Sequence, residues 1–590
     1  MERFKTVFGI DLRTLALFRV ALALVLLADL INRATNLTAQ YTDDGILRRP
    51  DAIAYLSEWR LSIHLWSGTA TFEAVLFILA GLFALALLIG YRTRLATAVS
   101  WFLLLSLQNR NPLILQGGDN LLLMLAFWGM FLPLGARYSV DSALSQKQVA
   151  DNRYFSMATL ALLVQAMSVY FFSALLKSGS DWLPDGTAVY YALHLDSLAT
   201  PLGVWFRQVV PPLGLTALTY FVWYLEFLGP ILMFSPVLHT PLRLVLQVLF
   251  IAMHLGFWLN LEIGLFPFIS IASLVAFTPG SVWDWLGARL RTRERRGLWI
   301  YYDQDCAFCR KVCLLLRTFL VLPDSLIVPA QNQPEIHDIL REYDSWVVVD
   351  HDDTRYVRWR AVAIVFLRSP IFWPLGFLFA ARPLQRFGAA IYRWVAAHRP
   401  VLGRVSAVVL PLRDVSVGPS KVNSGLATAF LAVVVYGNLA TLSGLSLPRP
   451  AAYRIVHDVL RLDQKWNMFA PNPAKVDGWP VIRGELADGT VVDAYRHRVG
   501  APTFRRPQYV SQVFGDYRWR KYFSRLWFGN TRQLLNYGRY ICRSWNRRAA
   551  SASKLMRHEI YFNRERTLSD GRGNEFERIL IWRHDCFKRD

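Results

Sequence analysis

Eight apolar segments, at about 14–32, 72–91, 95–108, 119–135, 155–176, 213–236, 243–260 and 262–279, occupy the first half of this chain. A helix needs about 20 apolar residues to cross the hydrocarbon of a bilayer, and only helices or closed barrels can satisfy their backbone there. The third and fourth segments are short and joined by "NRNPLILQGG", so eight spans are expected, give or take one. Composition agrees, because 54% of the residues are apolar and only 18% are charged. The formal net charge of +22 calls for an anionic partner. The hydrophobic content favours the membrane surface, and no nucleic acid is expected because no binding motif is present.

After Thr278 the character changes. The basic run "RLRTRERRGLW" begins at Arg289, a segment of mixed composition follows, and "GLATAFLAVVVYGNLATLSGL", 425–445, is a ninth candidate span. The remainder, 450–590, is dense in Arg, Trp and Tyr without a span. No small-residue cleavage site follows the first apolar segment, which therefore reads as a signal anchor. Lys and Arg favour the cytoplasmic loops of membrane proteins. Arg3, Lys5, Arg13, Arg92, Arg94, Arg137, Lys147, Arg153, Arg243 and the 289–296 cluster all fall in alternate loops, which places the N-terminus and the segment after residue 289 in the cytoplasm of a bacterial-type inner membrane. The tail, 450–590, is then expected on the outer side.

Charges within spans are costly and mark ion pairs or function; Arg19 and Asp29 on the first helix are such a case. In "SVYFFSALLKSGSDWLPDGTAVYYAL", 168–193, an apolar helix ends in Lys177 with Asp181 and Trp182 just beyond. A lysine there commonly snorkels to the headgroups, but a desolvated one loses its proton and becomes a base. This stretch resembles the lysine segment of vitamin K-dependent gamma-carboxylase, of the HTTM (horizontally transferred transmembrane) superfamily. Tyr170, Phe171, Lys177, Asp181, Trp182 and Gly186 match in order. "ALFRVALALVLLADLINR", "YTDDGIL", "QNRNPLILQGGDNLLLMLAFWGMFLPLGARYSVD" and "FIAMHLGFWLNLEIGLFPF" extend the likeness over roughly 10–285. The resemblance implies that Lys177 is a catalytic base acting on a reduced, vitamin K-like quinone in an intramembrane pocket. Asp119 stands nearest the place of the carboxylase histidine, and Glu226, His254 and Glu262 are further polar candidates. The carboxylase's peptide-binding region has no counterpart in the sequence.

Soluble-phase chemistry sits in "GLWIYYDQDCAFCRKVCLLLRTFL". It reads as a short strand, an acidic turn and a helix that starts at Cys306, so the helix dipole lowers the thiol pKa and Cys309, one turn on, can resolve a mixed disulfide. The motif resembles that of the DCC (DUF393) thiol-disulfide oxidoreductases, on Asp303, Asp305, Cys306, Phe308 and Cys309, with further similarity through "WVVVDHDDTRYVRWRAVAIVFLRS" and "AIYRWVAAHR". That likeness implies a thioredoxin-like fold and a redox-active Cys306–Cys309 disulfide. A zinc site would need four ligands, and no second C-x-x-C or His pair lies nearby, so no metal is expected. Cys313 is expected to be packed in a core, and Cys542 and Cys586 to be isolated structural cysteines. The apolar run 361–379, broken by Arg368, Pro370 and Pro374, is expected as a buried helix rather than a span.

In the tail, 480–486, the turn "ADG" and 490–495 predict a β-hairpin, followed by helices around 517–550. Its Arg and Trp content suggests anchoring at the headgroup layer. The expected architecture is an HTTM domain of about eight spans (1–285), a thioredoxin-like α/β domain (296–400), one further span (424–445) and a small α+β extension (450–590). Three functions remain open: a membrane thiol-disulfide oxidoreductase acting on a thiol or quinone substrate, a carboxylase-like enzyme using Lys177, and a transporter or scaffold with a redox-sensing domain.

Overall fold

The computed structural model describes residues 2–147, 149–527, 529, 531–547, 549–568 and 574–587. Eight helices run back and forth through the first half: Leu12–Ala34, Ala70–Ile89, Thr93–Arg110, Gly117–Gly129, Met157–Leu176, Pro212–Leu232, His239–Asn260 and Phe266–Val275. Their alternation places the segment after residue 290 at the same end of the bundle as the N-terminus. All eight predicted segments are helical, but the span count is lower. Among the described residues six helices are long and apolar enough to cross a membrane, or seven if the bent pair Phe266–Val275 and Gly280–Leu290 is one span. One of the six is Lys421–Leu439, the expected extra span. Gly117–Gly129 has only 13 residues, and Leu121 to Trp128 are almost completely enclosed by neighbouring helices. Apolar composition is the same for a protein interior and for lipid, which is why this helix reads as a span from sequence. Thr93–Arg110 ends in Gln108, Asn109 and Arg110, all fully buried in polar contacts.

Arg19 and Asp29 do not meet. Arg19 donates to the carbonyls of Leu134, Arg137 and Tyr138 at one bundle end. Asp29 belongs to a buried network at the other, where Arg33 pairs with Asp29 at 2.7 Å and Asp119 at 2.5 Å, and Arg518 of the tail bonds both carboxylates. Such a network stays buried only because each charge is met by another.

The second domain is built on a four-stranded sheet in the order Leu326–Pro329, Trp299–Tyr302, Val347–Val349, Arg355–Val357. The first pair is parallel and the others antiparallel, with helices Ala307–Phe319, Pro334–Tyr343 and Arg358–Arg368 between or after the strands. This is the thioredoxin-like order. Cys313 is buried in its core with Ile300, Val348 and Val365. The run 361–379 is not buried throughout: Arg358–Arg368 packs on the sheet, whereas Trp373–Ala380 turns outward and exposes Trp373, Phe377 and Leu378.

The tail forms a five-stranded antiparallel sheet in the order Asn574–Asp585, Leu555–Thr567, Val476–Leu486, Val491–Asp493, Arg498–Val499. The predicted hairpin is its Val476–Leu486 and Val491–Asp493 pair, and the predicted helices are Tyr517–Leu526 and Thr531–Asn546. The long partner hairpin, Leu555–Thr567 with Asn574–Asp585, was not read from sequence. Several of the basic and aromatic residues dock the tail onto the bundle. Arg518, Arg525 and Arg543 reach Asp29, the Pro112 and Leu115 carbonyls and the Gly45 carbonyl, and Tyr41, Ile46 and Leu113 share one core with Ile482, Phe523 and Ile560. Cys542 and Cys586 are not isolated; they form a disulfide that ties the end of Thr531–Asn546 to the last strand.

Candidate functional sites

Two sites lie at opposite ends of the bundle. At the N-terminal end Cys306 occupies the N-cap of Ala307–Phe319, its Sγ accepting from the Cys309 N–H at 3.2 Å. Cys306 and Cys309 are disulfide-bonded with Cα atoms 5.3 Å apart, and both are half-buried at the domain surface. The acidic turn before them is held by Asp303, whose carboxylate accepts from Gln331 Nε2 at 2.8 Å and from the Asp305 N–H at 3.2 Å. Asp305 is exposed, and Phe308 is half-buried on the first helical turn. The helix carries Arg310 and Lys311 near its start and Arg317 in its last turn, and its N-terminus, the positive end of the helix dipole, lies at Cys306. The Lys311 amine donates to the Ser406 carbonyl at 2.7 Å, and burial lowers its pKa. Cys313, two turns along, has its thiol pushed by burial up to about 12 and cannot compete as a nucleophile. A cavity of about 1560 Å³ separates this helix from the bundle. Tyr302, Arg310, Leu314 and Arg317 line it on one side, and Arg13, Leu17 and Arg137 on the other.

At the opposite end Lys177 caps Met157–Leu176. It does not snorkel: its side chain is 3% exposed, its Nζ pairs with Glu226 of Pro212–Leu232, and it stands 4.3 Å from the Trp182 ring centre. Asp181, just beyond Lys177 in the sequence, is engaged elsewhere, with Lys475 at 3.1 Å and Thr187 Oγ1 at 3.0 Å. Gly186, at φ +66°, turns this loop back. A Cβ there would meet Thr216 and Tyr220. His254 bonds the Tyr170 hydroxyl through Nε2 at 2.7 Å. Two further candidates lie outside these contacts. Asp119 is consumed by Arg33, Arg518 and the Gln116 N–H, where it caps Gly117–Gly129, and no hydrogen bond or ion pair joins it to Lys177. Glu262 is exposed beyond the end of His239–Asn260.

Sequence reading missed the segment that covers this site. In "DQKWNMFAPNPAK", 463–475, Gln464 exchanges hydrogen bonds with Gln165 at 2.8 and 2.9 Å, and Trp466 is buried in the bundle core. The Phe469 carbonyl accepts from Trp182 Nε1 at 2.9 Å, the Pro471 carbonyl from the Gly179 N–H at 3.1 Å, and Asn472 Oδ1 from the Asp181 N–H at 3.1 Å. The signal was a run of aromatic, Asn and Pro residues fitting neither strand nor helix. The buried atoms Ser173 Oγ, Asp181 Oδ2 and His254 Nδ1 have no hydrogen-bond partner among the described residues. Cys542, His558 and Cys586 bring donor atoms within 4.8 Å of one another, as do Asp350, His351 and Asp352; in the first group the disulfide already uses both sulfurs.

Residues 9–285 match the HTTM domain family, and residues 300–405 match the DCC1-like thiol-disulfide oxidoreductases. No curated protein and no solved structure matches the chain. The chain is therefore a membrane protein that fuses an HTTM domain to a DCC1-like thiol-disulfide oxidoreductase domain.

Proposed function

We propose that this protein is a membrane-bound thiol-disulfide oxidoreductase whose working pair, Cys306 and Cys309, faces the cytoplasm. The observation that carries this reading is the half-buried C-x-x-C at the N-terminus of a basic helix in a thioredoxin-like sheet. In the reducing direction the Cys306 thiolate attacks a substrate disulfide, forming a mixed disulfide and releasing one substrate thiolate. Cys309, deprotonated, then attacks Cys306 Sγ, releasing the second substrate thiol and leaving the Cys306–Cys309 disulfide. Two electrons and two protons pass to the substrate, and the reverse sequence oxidises it. The orientation is supported by the basic residues at this bundle end and by the Cys542–Cys586 disulfide at the other, since stable disulfides belong to oxidising compartments. Replacing Cys309 with Ser should trap mixed disulfides at Cys306, visible as reductant-sensitive adducts by mass spectrometry. Absence of adducts, with Cys306 alkylating at the rate of an ordinary thiol, would refute the exchange role.

A second, carboxylase-like reading is favoured by the enclosure of Lys177. Its Nζ, shielded from water, is paired with Glu226 and faces the Trp182 ring. The Tyr170 hydroxyl and His254 Nε2 share one hydrogen bond, which leaves Nδ1 as the free ring nitrogen among the described residues. Ser173 Oγ and His254 Nδ1, buried and without a hydrogen-bond partner among the described residues, are the polar atoms left to meet a quinone, which supplies two-electron chemistry when bound. Lys177→Arg preserves the charge and cannot serve as a base. The variant should insert normally and fail to rescue a deletion strain; full rescue would leave Lys177 as a packing residue.

A further inference from the structure

The helices that follow the redox sheet present an apolar face that none of the described residues covers. In Arg382–Ala397 the exposed residues Phe387, Ile391 and Trp394 fall at spacings of four and three, one stripe of a helix. In Arg399–Val409 the same spacing exposes Val401, Val405 and Val408. Ile371, Trp373 and Phe377 extend the face through Trp373–Ala380. The exposures are large: 64% for Phe377, 63% for Phe387, 57% for Trp394 and 76% for Val408. In a soluble domain such a continuous face would be an aggregation hazard or a docking site.

Charge and position identify the occupant. No Asp or Glu occurs between Asp353 and Asp414, while Arg382, Arg386, Arg393, Arg399 and Arg404 all lie within these helices. Arg386 and Arg393 each precede a stripe residue and so flank the apolar face. Arg382, Arg386, Arg393 and Arg404 pair with no carboxylate among the described residues; Arg399 alone meets Asp344, at 2.7 Å. The face also continues the membrane-spanning bundle. The Tyr91 hydroxyl, in the turn between Ala70–Ile89 and Thr93–Arg110, donates to the Val409 carbonyl at 2.7 Å. Arg94 reaches the Ser416 carbonyl at 3.3 Å, and the spanning helix Lys421–Leu439 follows directly. These helices thus end against the end of the bundle that carries the N-terminus.

We propose that residues 371–409 form an in-plane foot, lying in the anionic headgroup layer on the side of the N-terminus, that holds the thioredoxin-like domain against the bilayer. Amphipathic helices of this kind sink about 5–10 Å into the boundary between headgroups and chains, and arginines on the rim add attraction to anionic lipid. The foot keeps the Cys306–Cys309 motif at a fixed height above the membrane, within reach of thiols presented there.

The test uses the full chain in nanodiscs, with a fluorescent thiol label at Phe377→Cys, Trp394→Cys or Val408→Cys and at Asp352→Cys, on the exposed turn between Val347–Val349 and Arg355–Val357, as the control. Brominated lipid chains should quench most of the emission at 377, 394 and 408 and leave 352 unchanged. Replacing anionic lipid by zwitterionic lipid should weaken that quenching, and Arg386→Gln with Arg393→Gln should weaken it in anionic discs alone. Labels at 394 and 408 as open to aqueous iodide as that at 352 would overturn the proposal. So would labels shielded from both quenchers only in discs holding two copies, which would make the face a self-association surface.

Discussion

The two disulfides of this chain sit at opposite ends of one helical bundle and are built for opposite purposes. Cys306 and Cys309 are three residues apart, half-buried, at the start of a basic helix on a domain surface. Cys542 and Cys586 are 44 residues apart, Cys542 is 6% exposed, and the bond ties a helix to the edge strand of a five-stranded sheet. A bond that closes a short loop removes little freedom from the unfolded chain and costs little to open. One that closes a loop of this length limits the unfolded chain strongly. The contrast separates a disulfide placed to exchange from one placed to hold.

The largest expected effect follows from that difference. Replacing Cys542 and Cys586 with Ala should cost about 4 kcal/mol of the tail's stability by the loop-closure relation, read as a lowered unfolding midpoint for this domain with thiol exchange intact. The Cys306→Ser, Cys309→Ser pair should do the reverse, abolishing exchange with little change in the midpoint. Equal stability losses from the two double variants would erase the distinction.

A smaller effect concerns how the tail docks. Asp477 is buried where the tail meets the loop after residue 195, accepting from the Ser197 N–H at 2.7 Å. Burial, with Glu565 and Asp196 nearby, raises its pKa from 3.8 to about 7, against the pull of the Ser197 bond. A carboxyl whose folded pKa is raised favours folding fully below its unfolded pKa, and that contribution is lost as pH rises through the folded value. Stability should therefore fall between about pH 4 and pH 7, by a few kcal/mol. Asp477→Asn should flatten the slope, gaining at pH 8 and changing little at pH 4; an unchanged pH profile would show that the site stays charged.

Legibility in the sequence followed locality. The Cys306–Cys309 motif, its helix and its strand are written within a few adjacent residues, so the redox end could be read directly. The partner of Cys542 could not, because the pairing is made only when a hairpin folds back across 44 residues. Lys177 was visible, but Glu226 becomes its partner only through packing of two helices, and Asp181 is drawn away by Lys475 from the far end of the chain. Asp119 was a candidate because it stands nearest the place of the carboxylase histidine; its partners, two arginines from distant elements, meet it only in the folded state. Hydropathy found every helix of the bundle, yet it could not tell Gly117–Gly129, enclosed by protein, from a lipid-facing span. It also misjudged 371–379, where apolar residues face outward.

The most direct measurement is a redox titration of the full-length protein in a graded series of reduced and oxidised dithiothreitol, quenched by alkylation and read for both cysteine pairs by mass spectrometry. The Cys306–Cys309 pair should open first and reversibly, while Cys542–Cys586 stays closed until the tail unfolds. Reduction of Cys542–Cys586 first, or of both pairs together in the folded protein, would contradict the assignment of exchange to one disulfide and of holding to the other.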